Sequence, residues 1–299
     1  MSRNRRIAQH RGGRDVTNGV PAACVIGWPI GHSRSPLIHN YWLKTYRIPG
    51  AYRREAIPPE RFPAFVRSLA ANGYVGANVT VPHKETALAC SVPDDQARAV
   101  GAANTLWLDR ELRSTNTDVE GFLDDLDASV PGWDRDGTPA VVLGAGGAAR
   151  AVVYGLLERG IENVLVVNRS RERAQALQER FGDRVRIAGW GERNARLGDA
   201  KLLVNTTTLG MQGQPDLALD VGRLPGDAVV AELVYAPAVT TLLRAAKARG
   251  LRTADGLGML LYQAVRGFTL WFGKKPEVTE ELRRLLAADL SAPDALTPE

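Results

Sequence analysis

The segment GWPIGHSRSPLIHN, from Gly27 to Asn40, holds His32, Ser33, Ser35 and His39, in a chain with only four histidines. Such a cluster suits three chemistries: a metal site, an activated serine, or hydroxyls that hold a polar ligand. Zinc needs converging nitrogen, sulfur or carboxylate ligands, commonly at helical spacing or with cysteines. His32 and His39 lie across an expected helix start, and no third ligand stands near them. A serine nucleophile needs the G-x-S-x-G elbow, which neither Ser33 nor Ser35 has. What remains is a loop at a helix N-terminus, where two hydroxyls and available N–H groups suit an anion such as a carboxylate. Ser35 as a plain helix cap, followed by Pro36 at the first helical position, is compatible with that reading.

Other polar segments stand beside this one. GANVTVPHKE puts Asn78, Thr80 and Lys84 at a strand end and the following helix start, GAANT offers Asn104, and TNTD ends in Asp118. Each alone is an ordinary loop residue; together they suit a polyhydroxylated ligand.

A second chemistry sits in GAGGAARA, where Gly144, Gly146 and Ala149 form G-x-G-x-x-A between an apolar strand and a helix. The first glycine permits the turn, the second lets the backbone approach a pyrophosphate, and the helix N–H groups face the anion. An NAD site would place an acid at the end of the next strand, for the ribose 2′-hydroxyl. The chain instead reads VVNRS, with Asn168, Arg169 and Ser170 there and Arg173 one turn on. A guanidinium pairs with a 2′-phosphate that a carboxylate would repel, so NADP is favoured over NAD. Arg171 suits an ordinary solvated helix face; Arg169 does so less, because cations are mildly unfavourable at helix N-termini.

These residues need elements to position them. AACVIGWP reads as a buried strand, and the helix from Ser35 carries Leu37, Tyr41 and Tyr46 as an apolar stripe. AYRREAI and YVGANVTV are strands around a helix over PPERFPAFVRSLAANG, stopped at Gly73. Helices start at PHKETALA and DDQARAVG, and ANTLWLDRELRSTNTD forms two short strands around a turn. A second unit begins near Val119 with the helix VEGFLDDLDA and continues, after a loop, as strand, glycine turn and helix over PAVVLGAGGAARAVVYGLLERG. ENVLVVNRS, AKLLVNTTT and DAVVAELVY are further strands, with helices over RERAQALQERFG and APAVTTLLRAAKARG, the last ended by Gly250. This is a doubly wound βαβ series. An apolar helix, GLGMLLYQAVRGFTLWFGKKP, and an amphipathic one, EVTEELRRLLAADL, follow. The class is α/β with two domains.

Composition narrows the partners. The 299 residues are 44% apolar and 24% charged, ordinary for a folded chain long enough for two cores. The formal charge of +5 is local: Arg3, Arg5, Arg6, Arg11 and Arg14 lie in a stretch without acids, and without them the remaining bases equal the 33 acids. A solvated tail is expected there, with no nucleic-acid role. The tail lacks the apolar stretch of a secretion signal, and no window reaches the ~18 apolar residues of a membrane span. Cys24 and Cys90 are far apart and outside any CxxC, which fits a reducing cytoplasm.

The order and spacing of GWPIGHSRSPLIHN, GANVTVPHKE, GAANTL, NTDVEGF, GAGGAARA, NRS, the GM after NTTTL, VYAP and GLGMLLYQAVRGFTLWFG make the chain resemble the shikimate dehydrogenases over nearly all of residues 21–273. The resemblance implies an α/β substrate domain, 20–118 with 256–299, and an inserted Rossmann-like NADP-binding domain, 119–255; the disordered basic tail expected over 1–19 lies outside it. It implies reversible NADPH-dependent reduction of 3-dehydroshikimate to shikimate, in the route to chorismate and the aromatic amino acids. By the matched motifs, Ser33 and Ser35 bind the substrate carboxylate with Tyr235 near it, and Asn78, Thr80, Asn104, Asp118 and Gln263 bind ring hydroxyls. Lys84 and Asp118 form the catalytic pair. NADP is held by Gly144, Ala145, Gly146, Gly147, Ala148, Ala149, Asn168, Arg169, Ser170, Arg173, Thr206, Met211 and Gly256. No metal is expected, and the state is monomer or homodimer. Glu232 stands where many relatives have Asp, and NTTTLGM departs from the commoner Asn-Ala-Thr pattern; both bear on nicotinamide packing. Rival readings are a quinate/shikimate dehydrogenase that uses NAD, and a noncatalytic NADP-binding regulator on the same fold.

Overall fold

The structure, a computed structural model, describes residues 20–135 and 137–291. The basic tail expected over 1–19 lies outside the described residues.

The first lobe runs β1 (Ala22–Gly27), α1 (Ser35–Thr45), β2 (Ala51–Ala56), α2 (Phe62–Arg67), β3 (Tyr74–Val79), α3 (Lys84–Ala89), β4 (Val92–Pro93), α4 (Asp95–Val100), β5 (Thr105–Asp109) and β6 (Glu111–Thr115). Its sheet has the order β2-β1-β3-β5-β6-β4, with β2, β1 and β3 parallel and β5 antiparallel to both β3 and β6. Strand β1 is buried at every position, whereas the edge strand β2 alternates.

Helix α5 (Asp118–Ser129) leads into β7 (Ala140–Leu143), α6 (Gly147–Glu158), β8 (Val164–Asn168), α7 (Arg171–Phe181), β9 (Val185–Gly189), β10 (Leu202–Asn205), β11 (Val229–Glu232), α8 (Thr241–Ala248) and β12 (Arg252–Ala254). All six strands are parallel, in the order β12-β11-β10-β7-β8-β9, the doubly wound dinucleotide-binding order. The period of two sorts β7 between two cores: Ala140 and Val142 join Phe122 and Leu156 on one face, and Val141 and Leu143 join Leu203 and Leu242 on the other. Both faces are covered, so the strand is apolar throughout.

The chain then returns to the first lobe through α9 (Gly256–Phe272) and α10 (Glu280–Ser291). Leu261, Ala264 and Phe268 of α9 pack with Ile38 and Trp42 of α1 and with Leu282 and Leu286 of α10. Asp255 caps α9, accepting from the N–H of Leu257 at 3.1 Å and of Gly258 at 3.3 Å. Trp271 donates from Nε1 to the Leu106 carbonyl at 2.8 Å, which brings the indole over Gly76. A Cβ at Gly76 would lie 2.0 Å from that nitrogen, so only glycine fits.

Three local features differ from expectation. Ser35 is not the helix cap: Arg34 already has helical φ and ψ and holds the N-cap position, and the Ser35 side chain makes no cap bond. The helix expected over PPERFPAFVRSLAANG is a 3-10 turn over Pro59–Arg61 followed by the short α2. It ends because Ser68 Oγ donates to the carbonyls of Ala64 and Phe65 and the chain tightens into turns up to Gly73. Strands β4, β9 and β12 are additional; two are very short, and β9 carries Arg186 on an edge.

Candidate functional site

The strand ends of the two lobes face a common cleft. At the end of β1 the loop before α1 is fixed by its backbone: Ser33 N–H donates to the Ile30 carbonyl at 3.0 Å, and Arg54 of β2 donates to the Ser33 carbonyl from Nε at 3.0 Å and Nη2 at 2.7 Å. Ser35 N–H donates to Ser33 Oγ at 3.4 Å. Arg34, largely buried between them, pairs through Nε with Asp289 of α10 at 2.5 Å.

The histidines of this region serve packing. His39 is fully buried and stacks on Tyr52, ring centroids 4.1 Å apart. Burial depresses it to a pKa of about 3, so the ring is neutral. His83 stacks on Phe62 at 4.4 Å and donates from Nε2 to the Ile57 carbonyl at 2.7 Å. His32 is exposed at the rim. Among the described residues no group of three or more His, Cys, Asp or Glu could hold a metal ion.

Lys84 begins α3 and Asp118 begins α5, and the Lys84 ammonium donates to Asp118 Oδ2 at 2.5 Å. The other oxygen, Oδ1, accepts from Asn104 Nδ2 at 2.8 Å, and the Asp118 N–H donates to Asn116 Oδ1 at 3.1 Å. Asn104 is fixed in turn, because its Oδ1 accepts the Thr117 N–H at 2.7 Å. The carboxylate thus sits at the positive end of a helix, with its two oxygens assigned to two donors.

A cavity of about 240 Å³ opens over this pair. Ser33, Ser35, Asn78, Thr80, Lys84, Asn104, Asp118, Tyr235 and Gln263 all line it, although six separate segments carry them. From the cofactor-side candidates it takes Ala148 and Gly256. Tyr235 lies beyond β11, with its phenol pushed upward by burial and pulled back by Arg34. Gly256 is the first residue of α9, and a Cβ there would lie 2.4 Å from the Leu233 carbonyl.

An adjoining cavity of about 460 Å³ shares His32, Arg34, Ala148, Leu233 and Tyr235 and adds Thr206 and Met211. It is mainly apolar-walled and lies at the switch point between β7 and β10, where sheets of this order bind ligands. Gly144 ends β7 with φ of 106°, and Thr206 donates from both N and Oγ1 to the Leu143 carbonyl, at 2.9 and 2.7 Å.

The remaining candidates lie outside both cavities. Ala145, Gly146 and Gly147 form the turn into α6, and no side chain caps that helix, which leaves its first N–H groups available to an anion. Ala149 is fully buried in the core, where it packs and cannot touch a ligand. Asn168 ends β8 and donates to the Ser170 carbonyl at 2.8 Å, while Ser170 caps α7, accepting the Arg173 N–H at 3.3 Å. Arg169 and Arg173 are exposed beside them.

Three residues of the site lie inside the quoted segments without a role assigned from sequence. Arg34, Met259 and Leu260 line the substrate-side cavity. Glu232 is buried and ties the end of β10 to the loop after β11, accepting from Asn205 Nδ2 at 2.8 Å, Val234 N at 3.0 Å and Thr240 Oγ1 at 3.1 Å. Burial pushes its carboxyl upward, against those three donors. In the sequence Glu232 stands out as an acid inside an apolar strand and as a departure from the Asp of many relatives; its clasp on the loop is visible only in the fold.

Family models described as the shikimate dehydrogenase substrate binding domain, shikimate / quinate 5-dehydrogenase and the shikimate 5'-dehydrogenase C-terminal domain match residues 25–106, 131–209 and 256–285. The shikimate dehydrogenase (NADP(+)) of Rhodopseudomonas palustris strain HaA2 is 66% identical over 92% of this chain and 98% of its own. That of Afipia carboxidovorans is 63% identical over 91% and 98%. Among solved structures, shikimate 5-dehydrogenase from Thermus thermophilus, in complex with NADP(H) and shikimate, matches with a TM-score of 0.79 and 36% identity over 90% of this chain and 99% of its own. Quinate dehydrogenase from Corynebacterium glutamicum, in complex with NAD, matches with a TM-score of 0.83 and 30% identity, at the same coverage.

Proposed function

The chain belongs to the shikimate dehydrogenase family, and from that premise we propose that it catalyses the reversible NADPH-dependent reduction of 3-dehydroshikimate to shikimate, an oxidoreductase reaction at a CH–OH group. The observation that carries this reading is the Lys84–Asp118–Asn104 cluster at the floor of a cavity whose other wall is the switch point of a dinucleotide-binding sheet. It is a step towards chorismate and the aromatic amino acids.

The residues at hand fit NADP. The uncapped N-terminus of α6 after Gly144–Gly147 suits a diphosphate, and the end of β8 offers Arg169 and Arg173 beside Asn168, which stands where an NAD site would place an acid. Thr206, Met211 and Gly256, with Ala148, would flank the nicotinamide. When bound, the cofactor supplies the hydride.

The chain's own groups then handle charge and protons. Ser33 and Ser35, beside Tyr235, take the substrate carboxylate; Asn78, Thr80, Asn104 and Gln263 take the hydroxyls. The ketone oxygen gathers negative charge as hydride arrives, and Lys84 neutralises it and gives it a proton. Asp118 holds the ammonium in line and accepts from a neighbouring hydroxyl. The substrate-bearing part is taken as residues 20–118 with 256–299, and 119–255 as the cofactor part, so that closing the cleft brings the two halves of the site together. The reaction belongs in the cytoplasm, where thiols such as Cys24 and Cys90 stay reduced, with the protein a monomer or homodimer. Among the described residues no helix is long and apolar enough to cross a membrane.

The test is the nicotinamide absorbance on mixing protein with shikimate or quinate and NADP or NAD. Fast turnover confined to shikimate with NADP is expected; comparable turnover with quinate and NAD would move the chain to the quinate-using branch, and no turnover would overturn the assignment.

A further inference from the structure

Two buried residues that line neither cavity join the substrate subsites. Tyr52 of β2 donates its hydroxyl proton to Asn78 Oδ1 at 2.5 Å. Asn78 Nδ2 donates to Thr105 Oγ1 at 3.1 Å, and Thr105 donates to Asn104 Oδ1 at 3.1 Å. Asn104 then donates to Asp118, which holds Lys84. The result is an unbroken chain of bonds from Tyr52, by way of Asn78, Thr105 and Asn104, to the catalytic pair.

The direction of this chain is determined by its members. A backbone N–H can only donate, so Thr117 N requires the oxygen of Asn104, and the nitrogen of Asn104 must face Asp118. The oxygen of Asn104 is further occupied by the hydroxyls of Thr105 and Thr117, leaving its nitrogen as the only polar atom available to a ligand. At the other end, burial keeps the Tyr52 phenol protonated, and its single proton goes to Asn78 Oδ1. Without that proton the Asn78 oxygen is left unpaired, and the amide is held only through Nδ2, by Thr105 and by the Asn104 carbonyl at 3.4 Å. A loosened amide with a buried, unpaired oxygen meets a ligand hydroxyl in the wrong place, and a buried polar mismatch is expensive.

We propose that Tyr52 and Thr105 are positioning residues for substrate recognition: they hold the two ends of the Asn78 amide, oxygen and nitrogen, in register with the Asn104 amide that Thr117 and Asp118 orient, and so decide which hydroxyl pattern the cavity accepts. The inference rests on the substrate assigned above. It differs from direct contact, since neither residue lines the cavity.

The variants are near-isosteric. Tyr52→Phe keeps the ring that stacks on His39, Thr105→Val keeps the shape without the hydroxyl, and Thr105→Ser keeps the hydroxyl without the methyl. Steady-state kinetics on wild type and all three, varying shikimate and NADP separately, read the effect. The expected result is a KM for shikimate raised roughly tenfold in Tyr52→Phe and Thr105→Val, a KM for NADP within about twofold of wild type, and Thr105→Ser within about threefold of wild type for both. An unchanged KM for shikimate in Tyr52→Phe, or Thr105→Ser as impaired as Thr105→Val, would overturn the proposal. Wild type inert towards shikimate would instead overturn the substrate assignment beneath it.

Discussion

Arg150, in the first turn of α6, donates to Glu85 Oε1 at 2.8 Å, so the helix that follows the glycine turn grips the residue next to Lys84. The two lobes meet through a second arginine as well: Arg180 of α7 donates to the carbonyls of Arg98 and Ala99 at the end of α4, at 3.3 and 3.1 Å. Such polar contacts suit surfaces that move against one another.

Because Glu85 is largely exposed, the pair contributes more to alignment than to stability. Arg150→Ala should change unfolding free energy by less than ~1 kcal/mol, while kcat/KM for shikimate falls roughly three- to tenfold. Urea titration and initial rates on one preparation check this; a large loss of stability with unaltered rates would contradict it.

Arg169 tests cofactor choice. It is exposed at the end of β8, where Asn168 and not an acid ends the strand. Arg169→Ala should raise the KM for NADP by roughly tenfold and leave the KM for NAD nearly unchanged, since only one cofactor carries the 2′-phosphate. Equal effects on both would show that the guanidinium binds elsewhere.

Asp125 gives a pH dependence of folding. Its buried carboxyl lies against the start of α9, where a Cβ on Gly258 would come within 1.7 Å of Oδ1. Burial first, and then the nearby Asp255, raise it to about 7, against the opposing pull of Ser129 and Arg283. The native state therefore keeps a proton that the unfolded chain releases near ~3.9. The contribution of this group to stability is full below about pH 4 and is lost as pH rises through about 7. Asp125→Asn should remove that decline, so the variant gains on wild type at pH 8 relative to pH 4. Urea midpoints across that range decide it; parallel profiles would refute it.

Gly144 tests the turn itself. Its φ of 106° disfavours any side chain, and a Cβ would lie 2.6 Å from Thr206 Oγ1. Gly144→Ala should cost roughly 1–3 kcal/mol and weaken NADP binding. A melting temperature and a cofactor Kd both equal to wild type would contradict this.

Much of this arrangement was legible in the sequence, where a residue type and its neighbours carried local information. The strand–turn–helix around Gly144 was visible because an unbroken apolar run followed by glycines has few other uses, and α9 because its largely apolar run of seventeen residues is too long for a strand. Asn78, Thr80, Asn104 and Asp118 were legible as polar outliers beside strand ends, whereas Tyr235 and Gln263, the latter in the middle of α9, came only through the resemblance. Tyr52 was legible in neither way, because a tyrosine in an alternating strand looks like any half-buried aromatic; its role depends on Asn78, twenty-six residues away. Ser35 resembled a cap because Pro36 follows it, but Arg34, anchored to Asp289 far along the chain, took the position first. Ala149 carried the pattern of a binding turn and yet serves helix packing.

The account turns most directly on Lys84. Its measurement is kcat for Lys84→Ala with shikimate and NADP, alongside the shikimate Kd by calorimetry. The account predicts a kcat lower by roughly 10² to 10⁴ with a Kd changed only a few-fold. An undiminished kcat would remove Lys84 from the chemistry, and with it the reading of the Lys84–Asp118 pair as the catalytic centre.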